Sequence, residues 1–256
     1  MIINVAKTQN TFPTAWYGFS VKVFVGVSGF SYSSWIGKFY PEGLKSEEFL
    51  SYYSKRLGSV EINSSFYAAP SATTVKGWSA KTNQKFLFAF KAPKLITHIL
   101  KLGKGAPEAS AKLSATLGQL GPKRGPILFQ LPPFLKLDHD LLERFLSDTR
   151  DIKPKVFEFR HPSWFVDSTY RLLEKYKTGF CIADTDDLGP TFKVTGGLAY
   201  FRLRKEFYGS NAMDEWSENI RQSSSGSDEC YVYLRHDETG ENAVLAQALS
   251  EKLQPS

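Results

Sequence analysis

The chain has 256 residues, 42% hydrophobic and 23% charged, which suits one large globular domain or two small ones. No window approaches the roughly 20 apolar residues of a membrane span. Residues 1–20 show neither the basic start nor the apolar run of a signal peptide. The two cysteines, Cys181 and Cys230, lie in apolar runs without CxxC spacing, which predicts buried free thiols. We therefore expect a cytoplasmic protein that makes no membrane contact.

The net charge of +6 is concentrated in one segment. Residues 91–124 contain seven basic residues and one acidic residue, so this segment accounts for the whole excess. A solvated helix face with its flanking loops would explain the lysines without any ligand. The alternative is a rim that attracts phosphate, nucleic acid or an acidic metabolite. The spread of the lysines and the lack of interleaved aromatic residues favour the solvated face.

Short β-rich runs alternate with amphipathic stretches along the chain. The runs predict eight strands, at 21–27, 60–67, 86–93, 127–131, 156–160, 180–184, 198–204 and 231–235. Capping residues or a proline before apolar stripes predict helices near 46–57, 70–82, 107–120, 138–146, 168–176, 213–221 and 242–253. Residues 185–197 are too rich in glycine and aspartate to predict a helix. The serine-rich residues 223–227 predict a short flexible surface link.

Eight strands that alternate with helices are typical of a parallel sheet with crossover helices. Eight such units in about 250 residues match the usual size of a closed barrel. A doubly wound open sheet is the alternative, and it is less favoured because no glycine-rich phosphate loop follows the first strand. We therefore predict an α/β fold, an eight-stranded parallel (β/α)8 TIM-type barrel. Residues 21–256 would form it as a single domain, preceded by an unassigned extension of residues 1–20.

Site candidates follow from this fold because the reacting groups of such barrels lie at the C-terminal ends of the strands. Polar residues there occur two apart, with apolar neighbours, as in Glu61 with Asn63, so their side chains should point into the barrel. An internal layer of salt bridges would explain part of this set of polar residues. The set contains more polar residues than such a layer needs, which favours a functional pocket. The strand-end residues are Ser28, Glu61, Asn63, Lys91, Gln130, Glu158, Arg160, Asp184, Arg202, Arg204, Arg235 and Asp237.

Aromatic residues occur in the loops around the expected barrel mouth. We expect Trp35 and Trp164 to belong to the core. The others could stack on a sugar or a base, and they are Phe30, Tyr32, Tyr40, Phe66, Tyr67, Phe207 and Tyr208.

Three chemistries fit the strand-end residues. Paired carboxylates, Glu61 with Glu158 or Asp184, could share acid and base roles in hydrolysis. A divalent metal held by carboxylates with His98 and His161 has no HxH or HExxH spacing behind it, so no metal ligands are assigned. Residue type favours a bidentate clamp on a phosphate or carboxylate by Arg160, Arg202, Arg204 and Arg235.

The sequence resembles the YecE-like family, also called domain of unknown function 72. Six collinear segments carry the resemblance: Gly26–Tyr32, Trp35 with Phe39–Gly43, Val60–Tyr67, Phe90–Pro93 with Ile96–His98, Leu128–Pro133 and Phe157–Trp164. The resemblance implies a (β/α)8-type barrel but no reaction, since the activity of the family is unassigned. Its segments include eight candidate positions, namely Glu61, Asn63, Lys91, His98, Gln130, Glu158, Arg160 and His161.

Two strand ends depart from the family pattern. Family members usually have Arg-Leu-His-Gly where this chain has residues 202–205, Arg-Leu-Arg-Lys. An Asn-Asn-Asp-like ending is replaced at residues 235–237 by Arg-His-Asp. Both changes add positive charge to one side of the mouth, so ligand preference should differ from that of relatives.

The residues thus predict a polar pocket that binds an anionic ligand, such as a phosphorylated sugar or nucleotide. Whether the protein is an enzyme stays open here, with a hydrolase or an isomerase considered first and no cofactor or oligomeric state assigned. Glu61, Glu158 and His161 are the expected catalytic residues. The expected substrate-binding residues are Asn63, Lys91, His98, Gln130, Arg160, Asp184, Arg202, Arg204 and Tyr67. The alternatives are a nucleic-acid binding or processing protein and a non-catalytic scaffold with a structural polar layer.

Overall fold

The computed structural model describes residues 21–209 and 211–253. In these ranges eight strands form one sheet: β1 (Lys22–Val27), β2 (Ser59–Ile62), β3 (Leu87–Lys91), β4 (Arg124–Gln130), β5 (Lys155–Glu158), β6 (Gly179–Asp184), β7 (Leu198–Leu203) and β8 (Glu229–Leu234). Every pairing is parallel, in the order β1-β8-β7-β6-β5-β4-β3-β2. A parallel bridge between Ser28 and Glu61 joins the two ends of this order, so the barrel is nearly closed. The predicted (β/α)8 TIM-type fold is confirmed.

Helices cover the outside of the barrel. They are α1 (Phe49–Tyr53), α2 (Ala72–Ala80), α3 (Ala106–Leu117), α4 (His139–Asp148), α5 (Asp167–Lys175), α6 (Ala212–Ser224) and α7 (Glu241–Leu253). Among the described residues, no helix separates β6 from β7, as the composition of residues 185–197 predicts. None of the described helices is both long and apolar enough to cross a membrane.

Capping residues set two helix starts where the sequence predicts them. The Ser71 hydroxyl accepts from the Thr74 N–H at 3.1 Å and begins α2. The Asp138 carboxylate accepts from the Leu141 N–H at 2.9 Å and begins α4. Satisfying these otherwise unpaired backbone donors fixes the loop that leads into each helix.

Two predicted elements differ from the structure. β2 ends at Ile62 and not near residue 67, because Ser64–Phe66 form a 3-10 turn. The Ser65 hydroxyl fastens this turn with hydrogen bonds to the carbonyl oxygens of Ile62 and Lys91, each 2.7 Å long. The flexible link predicted at residues 223–227 is wrong in part, since α6 continues through Ser224 and that side chain is buried.

Alternation along the strands produces two apolar layers. On β3, Phe88 and Phe90 belong to the large aromatic layer between sheet and helices, whereas Ala89 belongs to a small cluster inside the barrel. Side chains two apart share a face of a strand, so Lys91 continues the inward face above Ala89. The same alternation turns Arg202 inward, because Tyr200, two residues earlier on β7, lies in the inner cluster.

Candidate functional site

The centre of the barrel mouth is an ion-paired triad of Glu61, Arg202 and Glu158. Arg202 Nη2 donates to Glu61 Oε2 at 2.8 Å, and Arg202 Nη1 donates to Glu158 Oε2 at 2.6 Å. The exposed fractions of the three residues are 0%, 2% and 2%, in chain order. One guanidinium therefore binds the two carboxylates in an environment that excludes water.

Neighbouring polar side chains complete the hydrogen bonds of the two carboxylates. Ser28 Oγ donates to Glu61 Oε2 and Tyr200 Oη donates to Glu61 Oε1, both at 2.8 Å. Gln130 Nε2 donates to Glu158 Oε1 at 2.7 Å. These partners come from β4, β7 and the end of β1, so closure of the barrel brings them together.

The two carboxyl groups stay ionised at neutral pH. Burial raises the pKa of Glu61, but the charges of Arg202 and Arg204 outweigh burial and lower it to about 2. At Glu158 burial also raises the pKa, yet Arg202 and the Gln130 hydrogen bond lower it overall. Neither group therefore carries a proton that it could donate at neutral pH. Their assignment as catalytic residues stays a prediction, and the geometry favours a different role, that of holding Arg202.

Lys91 and Arg204 lie near the triad, and neither has a carboxylate partner among the described residues. Lys91 Nζ lies 4.1 Å from the centroid of the Phe66 ring. Burial and the charge of Arg202 lower the pKa of Lys91 to about 8. Arg204 Nη1 donates to the Ser28 hydroxyl at 2.6 Å, and burial with the charge of Arg202 lowers its pKa to about 10. Neither cation is therefore in direct contact with a carboxylate of the described residues.

The outer part of the mouth holds four further predicted residues. Arg160 is exposed and forms no ion pair with a described residue. The buried Oδ1 of Asn63 lacks a hydrogen-bond partner in the part of the chain that the structure describes. His98 bonds the Thr97 hydroxyl at 2.8 Å and packs edge-on against Phe66, and burial and Lys91 lower its pKa. Tyr67 is 86% exposed.

Two other predicted residues bind protein groups. His161 Nδ1 lies 2.8 Å from Ser163 Oγ and accepts from the Ser163 N–H, so it caps the 3-10 turn Pro162–Trp164. Asp184 pairs with Lys205 at 3.0 Å and accepts from Tyr208 Oη at 3.1 Å, which ties down the loop after β7. Through these contacts His161 stabilises a turn and Asp184 stabilises a loop. The predicted roles of both residues in binding or converting a substrate stay predictions.

The loop aromatics divide into core and rim. Trp35 and Trp164 are completely buried, which confirms that both belong to the core. Tyr40 is also buried, so it cannot stack on a ligand as the sequence suggested. Phe207 is 80% exposed.

Two residues that bind Glu61, Ser28 and Tyr200, are not among the catalytic and substrate-binding residues that the sequence predicts. Ser28 directly follows β1 and is one of the strand-end residues of the sequence, whereas Tyr200 lies within an apolar run. Tyr200 lies two residues before Arg202, and residues two apart on a strand face the same side. This spacing is the signal in the sequence that places Tyr200 beside Arg202.

No group of three or more His, Cys, Asp or Glu side chains in residues 21–209 and 211–253 is arranged to hold a metal ion. Cys181 and Cys230 are buried free thiols whose pKa values burial raises. Neither thiol is therefore activated as a thiolate nucleophile.

Comparison with known proteins identifies the family. Residues 24–256 match the family described as "Protein of unknown function DUF72". The UPF0759 protein YunF of Bacillus subtilis (strain 168) is 28% identical over 90% of this chain and 94% of its own length. The UPF0759 protein YecE of Escherichia coli (strain K12) is 27% identical over 56% of this chain, and the match spans only half the length of that relative.

Solved structures agree with this assignment. A DUF72 family protein from Thermotoga maritima MSB8 superposes with a TM-score of 0.81 at 28% identity, covering 91% of this chain and all of that one. D-Psicose 3-epimerase from Clostridium cellulolyticum H10 has a TM-score of 0.50 at 11% identity, covering 87% of this chain and 95% of its own, which is a likeness of fold alone. The predicted family is therefore confirmed, and the chain belongs to the DUF72 family, whose function is unknown.

Proposed function

We propose that the protein is an enzyme whose barrel mouth binds a small anionic molecule, such as a phosphorylated sugar or nucleotide, through Lys91 and Arg204. One observation carries this proposal. Glu61 and Glu158 are both bound to Arg202, so Lys91 and Arg204 stand in the mouth without a carboxylate partner among the described residues.

Partly buried cations without counter-charges destabilise a fold unless something binds them. The lowered pKa values of Lys91 and Arg204 express this cost, since burial and Arg202 disfavour their charged forms. A phosphate or carboxylate between them would supply the missing negative charge. Exposed Arg160 at the end of β5 adds long-range attraction for the same ligand.

The amine of Lys91 is better suited to acid/base catalysis than the carboxylate pair of Glu61 and Glu158. Hydrolysis by two carboxyl groups needs one of them protonated, whereas the pKa values of Glu61 and Glu158 are both lowered. An amine with a pKa of about 8 suits proton abstraction near neutral pH. Among the reaction classes considered, an isomerase fits these groups better than a hydrolase.

Anion binding is tested by titration calorimetry with phosphate and sugar phosphates, at ionic strength held constant with chloride. Arg204→Gln should weaken binding about tenfold or more, because a charge-assisted bond contributes roughly 1.5–3 kcal/mol. Arg144→Gln, which removes an exposed charge from α4, is the matched control and should bind as the wild type does. Equal affinity in the Arg204 variant and the control would reject the proposal. A protein that binds none of these anions would also contradict the proposal.

A second candidate, single-stranded nucleic-acid binding, has its own observation. The loops after β2, β3 and β4 expose Tyr67, Ile99 and Phe134, by 86%, 61% and 62%. Lys101 Nζ lies 5.3 Å from the centroid of the Phe134 ring, which places a cation beside a stacking surface. Oligonucleotide binding by fluorescence anisotropy should weaken steeply with salt and after Phe134→Ala. Absence of binding at low salt would remove this candidate.

A further inference from the structure

We propose that Lys91 is a nucleophile, and that the anionic substrate carries an aldehyde or ketone with which the Lys91 amine forms an imine. This inference deepens the proposed function, on which it rests, because it names the reacting group of the ligand. It follows from the position of the amine, its contacts and a comparison with a second buried lysine.

The backbone holds Lys91 rigidly at the mouth. Lys91 is the last residue of β3, and its carbonyl oxygen accepts from Ser65 Oγ at 2.7 Å. The next N–H, of Ala92, donates to the Leu128 carbonyl at 2.8 Å. Side-chain alternation then directs the amine into the mouth above Ala89. A nucleophile on a strand end is positioned more reproducibly than one on a loop.

The amine itself makes no hydrogen bond or ion pair with any residue that the structure describes, and it packs over the face of Phe66. Burial disfavours its ammonium form most, and the charge of Arg202 comes next. Glu158 and Glu61 favour the ammonium, and Arg204 disfavours it with the smallest effect of the four charged groups. An apolar face and neighbouring cations are the two conditions that activate lysine toward carbonyl groups.

Lys155 shows what a buried structural lysine looks like in this protein. It begins β5 at the opposite end of the barrel and is 1% exposed. Burial lowers its pKa to about 8 as well, but its Nζ donates to the Thr149 carbonyl at 2.7 Å. Lys91 has the same lowered pKa without such a partner, and it is only partly buried. Of these two lysines, Lys91 alone can reach a ligand.

The step balances without an added oxidant or reductant. The neutral Nζ attacks the carbonyl carbon, the C=O π bond breaks, and a proton moves from nitrogen to oxygen to give a carbinolamine. Uptake of one proton from solvent then releases water and leaves a protonated imine on Lys91. Arg204 would hold the anionic group of the substrate during both stages.

The test uses pyridoxal 5′-phosphate, an anionic aldehyde, as the probe on the full chain. Cyanoborohydride reduces only the imine, and mass spectrometry of tryptic peptides measures the labelling rate of each lysine. At pH 7.5 we expect Lys91 to be labelled at least tenfold faster than exposed Lys94 and than Lys155. Labelling of Lys91 no faster than Lys94 would overturn the inference.

Two further arms separate this inference from the proposed function. Pyridoxal, which lacks the phosphate, should label Lys91 about tenfold more slowly, and Arg204→Gln should slow only the phosphorylated probe. Anion binding by calorimetry without preferential labelling of Lys91 would overturn the imine and leave the proposed function standing. Rapid labelling of Lys91 by both aldehydes at the same rate, insensitive to Arg204→Gln, would support the amine as nucleophile and overturn the anion site.

Discussion

Arg202 and Glu61 form an ion pair of 2.8 Å between two almost completely buried side chains that are 141 residues apart in the sequence. With Glu158 on its other side, Arg202 connects β2, β5 and β7 across the inside of the barrel. Desolvation offsets much of the attraction in such a group. Its importance is that removing one member leaves the others buried without their counter-charge.

Arg202→Met should therefore destabilise the protein strongly. The substitution leaves two buried carboxylates without a cation, and breaking a buried pair costs about 3–5 kcal/mol. Urea unfolding followed by circular dichroism measures the loss. Arg160→Met is the control, because Arg160 is exposed and should change the free energy of unfolding by about 0.5 kcal/mol or less. A loss as small as that of the control would show that the triad is dispensable.

The pKa of Glu61 predicts acid sensitivity. Its folded-state pKa of about 2 lies below the ordinary 4.5, so the folded protein binds this proton more weakly than the unfolded chain does. The resulting stability is complete above pH 4.5 and is lost as pH falls toward 2. It amounts to roughly 3 kcal/mol. Unfolding free energies measured from pH 5 to pH 2.5 should fall less steeply in Glu61→Gln than in wild type, and parallel curves would contradict the assignment.

The closure of the barrel predicts a contrast between two glycines. A Cβ at Gly26 on β1 would lie 1.9 Å from the Ser59 carbonyl oxygen, so β1 and β2 could not approach. Gly77 in α2 has nothing within 4 Å of its Cβ position. Gly26→Ala should lower the melting temperature or abolish folding, whereas Gly77→Ala should raise stability by up to about 1 kcal/mol. Similar melting temperatures for the two variants would argue against the closed barrel.

The contacts of Asp184 predict that it restrains the loop after β7. Tyr208→Phe removes the hydrogen bond to Asp184 and also the acceptor of the Lys205 N–H. Hydrogen exchange should therefore become severalfold faster at residues 206–209, where no such direct bond is lost. Tyr170→Phe is the matched control, since its hydroxyl bonds no described residue. Unchanged exchange in the loop of the Tyr208 variant would mean that the Lys205 ion pair holds it alone.

The sequence predicted the barrel because each strand carries a short β-rich run and each helix an amphipathic stretch. It also predicted which strand-end residues converge, since alternation along a strand decides which side chains face inward, as for Glu61 and Glu158. The predicted strand at residues 60–67 was too long, because the turn that ends it depends on a tertiary contact between Ser65 and Lys91.

The sequence does not predict which polar residues of the mouth bind each other and which lack a partner. Arg202 and Arg204 look alike in the sequence, yet one binds two carboxylates and the other only a hydroxyl. That difference arises from depth in the barrel, which the register between strands sets. His161 was expected at the site because of its residue type, but the proline after it places it as the cap of a turn.

The pKa of Lys91, with and without a bound anion, tests the central claim most directly. Lysine labelled with carbon-13 at Cε, assigned with Lys91→Arg, reports this pKa by NMR, and sulfate serves as a probe that does not titrate. The account predicts a pKa of about 8 in chloride and a higher pKa in sulfate at the same ionic strength. An ordinary lysine pKa, or one that sulfate leaves unchanged, would contradict it.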